Sequence, residues 1–176
     1  FQPDTWYSVQ GRLTRQLPSG PVETVDLSGL YVVPPFAEAH NHNVEGPWNV
    51  QAVAQRYLQD GVFYVKNPND VRDFAQQIKH AINVPTSIDA TFAHAGLTGH
   101  GGHPAALYED VLRIGRYEPA VGPIERGWFE NRSYVLVDTE IELEAKWPMI
   151  VSGRPDFLKV YLVDSEDDGE EAKVKP

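Results

Sequence analysis

The sequence predicts an α/β fold, a parallel sheet with helical crossovers preceded by a small N-terminal β-segment. Three observations predict it. Apolar runs with strand character alternate with helical periodicities from Phe36 onward, Gly and Pro punctuate the joins, and the residues before Phe36 carry only strand and turn signals. Alternating strands and helices build parallel sheets because two parallel strands need a crossover long enough to hold a helix.

The elements are read in order. Trp6–Thr14 alternates as a strand, Pro18–Pro21 is a turn and Val22–Leu27 runs back, which predicts a hairpin. A turn at Ser28-Gly29 leads through Leu30–Val33 and Pro34-Pro35 to the short run Phe36–His40. Asn49–Gln59 places Val50, Val53, Ala54, Tyr57 and Leu58 on one helical face, with Gly61 as the stop. Val62–Val65 is a strand. Asn69 or Asp70 caps a second helix bearing Val71, Phe74, Ala75, Ile78 and Ile82 on one face, ended by Pro85. Thr86–Ala93 is the next strand, Gly96–Pro104 a loop, Ala105–Arg116 a helix and Pro119–Gly127 irregular. Ser133–Val137 is a strand, Asp138 or Thr139 caps a helix to about Ser152 that Pro148 kinks, and Phe157–Val163 is a last strand. This gives an N-terminal β-segment over 1–34, a β/α domain over 35–163 and an acidic tail over 164–176.

Composition narrows the function. With 176 residues the chain can bury a core, and 15 basic against 25 acidic side chains, a formal charge of −10, argue against nucleic acid, which needs clustered Lys and Arg. Much of the acidity lies in the tail Asp164–Glu171. The absence of cysteine removes disulfides, thiolate metal sites and cysteine nucleophiles. No apolar run approaches the roughly 20 residues of a membrane span. A chain that opens at Phe1 and has no thiols suits a periplasmic protein and a trimmed cytoplasmic one equally.

His40-Asn41-His42 is the strongest chemical signal. On an extended strand, residues i and i+2 face the same way, so both imidazoles can reach one ion, whereas Asn41 points elsewhere. Imidazole suits zinc, nickel, iron and copper alike. A bare H-x-H is also what two polar loop residues after a strand look like. Lys159 falls on a strand whose Leu158, Val160 and Leu162 take one face and Phe157, Lys159 and Tyr161 the other. Placed inside, an unpaired ammonium is costly and its pKa falls; placed outside, it is an ordinary solvated Lys. His100 and His103 sit in a Gly-rich stretch where backbone can approach a ligand, or where the glycines serve only a tight turn. His94 is read as a packed or hydrogen-bonded histidine and His80 as a surface one.

Three segments carry a family resemblance: Asp26–His42 ending in H-x-H, Ala95–Pro104 with its glycines, and Gly153–Leu162 with Lys159. Together they resemble the N-terminal part of the amidohydrolase superfamily, metal-dependent TIM-barrel hydrolases, with Pro35 and Glu38 standing where that family usually has Gly and Asp. The resemblance implies the first half of a (β/α)8 barrel after a small β-segment. It further implies His40, His42 and a carboxylated Lys159 as ligands of zinc, two ions per complete site, or of another divalent metal. His100 and His103 would be substrate-binding residues. The implied activity is hydrolysis of C–N bonds in amides, dipeptide-like compounds or cyclic amides by a metal-activated water, with a lean toward peptidase-like and imidazolonepropionase-like members. Later ligands and the general base of that family have no counterpart here. The expectation is therefore an inactive isolated chain, completed by missing sequence or another chain. The alternative is a non-catalytic α/β binding module or a metal-free pseudoenzyme fragment.

Overall fold

The computed structural model describes residues 4–162, so the acidic tail and Val163 lie outside the described residues. The chain divides into two compact units, one ending at Pro34 and one beginning at Pro35.

In the first unit, Tyr7–Val9 (β1) pairs antiparallel with Arg12–Thr14 (β2), Tyr7 opposite Thr14. The hairpin thus lies within the stretch expected to be a single strand, and Val22–Leu27 forms no strand. The reason is local: Gln10 and Gly11 both take positive φ, 50° and 76°, the paired left-handed conformation that two-residue hairpin turns require. Arg15 closes the end, ion-paired to Asp4 at 2.8 Å with its guanidinium 4.8 Å from the Trp6 ring centroid.

The second unit is α/β. Phe36–Glu38 (β3), Val62–Asn67 (β4) and Asp89–Phe92 (β5) form a parallel sheet in the order β3-β4-β5. The crossovers are Val50–Gln59 (α1) and Arg72–Ile78 (α2). One sheet face contributes Val65, Ala90 and Phe92 to a core with Val50 and Ala54 of α1 and Ala75 and Ile78 of α2. Tyr64, Lys66 and Thr91, on the alternate positions, are exposed.

Neither expected cap serves α2. Val71 is its N-cap, because Asn69 and Asp70 are buried and their side chains are bonded elsewhere, to Gly96 and to His94.

That next sheet starts where a loop was expected. Gly96–Thr98 (β6) is a strand that pairs in parallel with Tyr134–Leu136 (β7). The segment expected as a last strand meets β6 through a single bridge, Leu97 with Val160, flanked by hydrogen bonds from Leu97 N–H to the Lys159 carbonyl and from Tyr161 N–H to the Leu97 carbonyl. Between β5 and β6 the chain turns at His94, whose φ is 59°. A left-handed residue interrupts a strand, so the two sheets stay separate and the expected continuous wall of a half barrel is not formed.

Between β6 and β7 a π-helical stretch, Leu107–Tyr117, runs directly into the short helix Glu118–Val121 (α3), so helix extends into the region read as irregular. Its Tyr108 and Tyr117 pack with Phe74, Phe129 and Tyr134 in an aromatic second core. Glu140–Ser152 (α4) opens on a capping box: Thr139 accepts from the Glu142 N–H at 3.2 Å and Glu142 accepts from the Thr139 N–H at 3.1 Å. No helix among the described residues is long and apolar enough to cross a membrane.

Candidate functional site

Past the end of β3 the chain bends at Ala39 and His40 and is tied back to β4 by the Asn41 N–H, which donates to the Lys66 carbonyl at 3.0 Å. Asn41 is buried on one side, and on the other the Nε2 atoms of His40 and His42 lie 3.1 Å apart, their rings 5.0 Å between centroids and inclined at 63°. The pair sits past the C-terminal ends of parallel strands, where α/β proteins collect their ligands.

This segment is held from three sides. Asn41 and Asn43 both donate to the Tyr57 hydroxyl of α1. Arg116, near the end of the π-helical stretch, donates to the His42 carbonyl at 3.2 Å and to buried Glu45 at 2.7 Å. Burial pushes the Glu45 carboxyl up, against the pull of Arg116.

The third support is Asn69. Its backbone carbonyl receives the His42 Nδ1 at 3.1 Å, its Oδ1 accepts from the Gly96 N–H at 2.9 Å, and its Nδ2 donates to the Tyr108 hydroxyl at 2.7 Å. A carbonyl can only accept, so Nδ1 of His42 carries the proton, and in the neutral ring Nε2 presents a lone pair. Partial burial, then the neighbouring His40, Arg116 and Lys159, hold His42 below the usual imidazole range. These surroundings favour the neutral ring, the form in which an imidazole ligates a metal.

Next to Asn69, Asp70 faces His94, Oδ1 to Nδ1 at 3.3 Å, both side chains buried. Asp70 Oδ2 and His94 Nε2 have no hydrogen-bond partner among the described residues. His94 is thus a buried, bonded histidine, as its place after a strand suggested; the carboxylate that holds it was read instead as a helix cap.

The other candidate residues divide. Lys159 and Tyr161 are half-buried, while Leu158, Val160 and Leu162 are exposed. The Lys159 ammonium lies 4.7 Å from the Tyr161 ring centroid, and the His103 ring meets the same tyrosine edge-on at 4.8 Å. Tyr161 in turn packs on Gly96, where an added Cβ would fall 2.3 Å from its ring. Through Tyr161, Gly96 and Asn69 the structure links Lys159 and His103 to His42. His100 is held elsewhere, by Asp138 at the start of α4, which accepts from its backbone N–H at 2.9 Å and meets its Nδ1 at 2.5 Å. Sequence reasoning missed Glu45, Asn69, Asp70 and Asp138, whose roles come from contacts distant in the chain.

Two imidazole nitrogens this close could supply half of a tetrahedral donor set. Among the described residues no group of three or more His, Cys, Asp or Glu could hold a metal ion. Glu38, the nearest acid in sequence, takes up the His40 backbone N–H at 3.2 Å.

No protein-family model matches the chain, and no solved structure does. A curated relative is the probable N-acetylglucosaminyl-phosphatidylinositol de-N-acetylase of Schizosaccharomyces pombe, 37% identical over 73 residues, which is 42% of this chain and 28% of that protein. The chain therefore spans little more than a quarter of that relative's length. This overturns the amidohydrolase resemblance: the similarity is to a de-N-acetylase outside that superfamily, and the barrel half the resemblance required is not formed. The peptidase-like and imidazolonepropionase-like lean falls with it. Hydrolysis of a C–N bond is common ground between the two readings.

Proposed function

We propose that this chain belongs to a hydrolase that cleaves the C–N bond of an N-acetyl amide. The observation that carries the reading is the similarity to a de-N-acetylase in a chain whose His40 and His42 bring two Nε2 atoms within 3.1 Å. A small-molecule amide, with an N-acetylated amino sugar as the first candidate, is the proposed substrate.

In this reading His40 and His42 hold a divalent cation, zinc first, through Nε2, and Lys159, as its carbamate, is the candidate further ligand. A cation there supplies Lewis acidity toward the acetyl carbonyl. The chain's own residues do the rest. Asn69 orients His42, and Arg116 and Tyr57 hold the backbone that carries both histidines. His100, gripped at two atoms by Asp138, is the candidate to meet the substrate or to move a proton to the leaving amine, with His103 beside Tyr161 as a second contact.

The absence of a third imidazole or carboxylate ligand among the described residues favours one second reading, a non-catalytic α/β binding module. The test incubates the chain with N-acetylglucosaminyl-phosphatidylinositol, N-acetylglucosamine and simple N-acetyl amides, with and without added zinc, and measures released acetate. Zinc-dependent acetate release supports the hydrolase. Zinc binding absent and acetate absent, with retention of an N-acetylated sugar, supports the module.

A further inference from the structure

The His pair has a support that neither imidazole provides. We propose that Asn69 is the positioning residue of the site. Its carbonyl takes the His42 Nδ1 proton and turns the Nε2 lone pair toward His40, while its side chain, clamped between the Gly96 amide and the Tyr108 hydroxyl, fixes where that carbonyl stands.

Three features single Asn69 out. It is 3% exposed, and its side-chain amide is used at both ends across two elements, β6 and the π-helical stretch. An amide is suited to this because it offers an acceptor to the Gly96 N–H and a donor to the Tyr108 oxygen at once; Leu or Ala offers neither. The peptide that carries the carbonyl is held on its other side as well, because its N–H, that of Asp70, donates to the His94 carbonyl at 3.2 Å, and the Asn69 N–H donates to Asn67 Oδ1 at 3.3 Å. Gly96 completes the clamp. A Cβ there would lie 2.7 Å from Asn69 Oδ1, so only glycine lets the amide come this close. The tautomer of His42 is thereby set by the packing of β6 rather than by the histidine segment itself. Partners of this kind, which orient a ligand without touching the ion, are worth about 10- to 100-fold in metal affinity.

The consequence for zinc rests on the reading above, whereas the tautomer does not, and the experiment separates the two. Long-range nitrogen–proton NMR on metal-free protein at pH 8 reports which ring nitrogen of His42 is protonated. Zinc affinity is measured alongside by competition with a chelator, for the native chain, Asn69→Ala and the milder Tyr108→Phe. The expected result is a single Nδ1-protonated His42 in the native chain, a mixture of tautomers in the folded variants, and zinc affinity lower by about 10-fold or more in Asn69→Ala. Thr139→Ala, a helix-cap variant remote in sequence, serves as the stability control and leaves both readouts unchanged. An Nε2-protonated His42 in the native chain overturns the proposal, as does a fixed native tautomer in both variants. A native chain with the expected tautomer but no zinc affinity removes the metal reading and leaves the positioning role of Asn69 standing.

Discussion

The carboxylate of Asp70 and the imidazole of His94 face each other at 3.3 Å with neither side chain reaching solvent. Burial pushes the Asp70 carboxyl above its usual range, and the bond and charge of His94 pull it partway back. A raised carboxyl favours folding in its protonated form, so this contribution is present below the unfolded value of 3.8 and is lost as pH rises through the higher folded value. His94→Leu removes the partner and enlarges that loss. Urea denaturation should find the variant only mildly weakened near pH 3.5 and weaker by about 3 kcal/mol at pH 7. A destabilisation independent of pH would show that Asp70 is not ionised against His94.

His42 carries the opposite sign. Its pKa is lowered by burial and by the neighbouring cations, so the folded state binds its proton less well than the unfolded chain does. Stability from this source is full above the unfolded value of 6.5 and falls as pH drops through the folded one. His42→Gln should therefore lose less stability than the native chain between pH 7.5 and 5, measured as the difference of two denaturant midpoints.

In the proposed reading both imidazoles hold the zinc ion. His40→Ala and His42→Ala should each weaken zinc binding at least 100-fold in chelator competition, since two ligands cannot spare one. Equal affinity in either variant would move the ion away from this pair.

Gly96→Ala tests the crowding around Asn69. The new methyl would meet the Tyr161 ring at 2.3 Å, and relieving that overlap should cost about 1–3 kcal/mol. Displaced Tyr161 should show as altered ring resonances, together with those of His103 and Lys159 that pack on it.

The cap of α4 provides an independent check of the fold. Thr139→Ala removes one arm of the capping box and should lower stability by about 1 kcal/mol with zinc affinity unchanged.

What the sequence made legible follows from how local each cause is. The α1 helix, β4 and the cap of α4, read as Asp138 or Thr139, were legible because periodicity, Gly61 and the cap residues are all near neighbours in the chain. His40 and His42 do face one another, but around a bend at Ala39 and His40 rather than along the extended strand that alternation implies. Asn69 and Asp70 misled because their type suits a helix cap, and only the approach of β6 and His94 draws them inward. Gly96 looked like loop because a three-residue strand acquires its identity from Tyr134–Leu136 across the sheet. The barrel was misjudged for the same kind of reason: nothing local marks the left-handed turn at His94, after the strand, that sets β6 apart from β5.

The separation of the two sheets also orders their assembly in time. In β3-β4-β5 each strand pairs with the next strand along the chain across one short helix, as Ala37 does with Tyr64 and Tyr64 with Asp89. Gly96 must wait for Tyr134, and Leu97 for Val160, contacts that close longer loops at greater entropic cost. The three-stranded sheet should acquire hydrogen-exchange protection first in a pulse-labelled refolding experiment, with β6 and β7 following. Since Asn69 is clamped only when β6 arrives, the histidines are brought together early and given their direction late, and a refolding chain offers an unsteered pair of imidazoles before it offers a site.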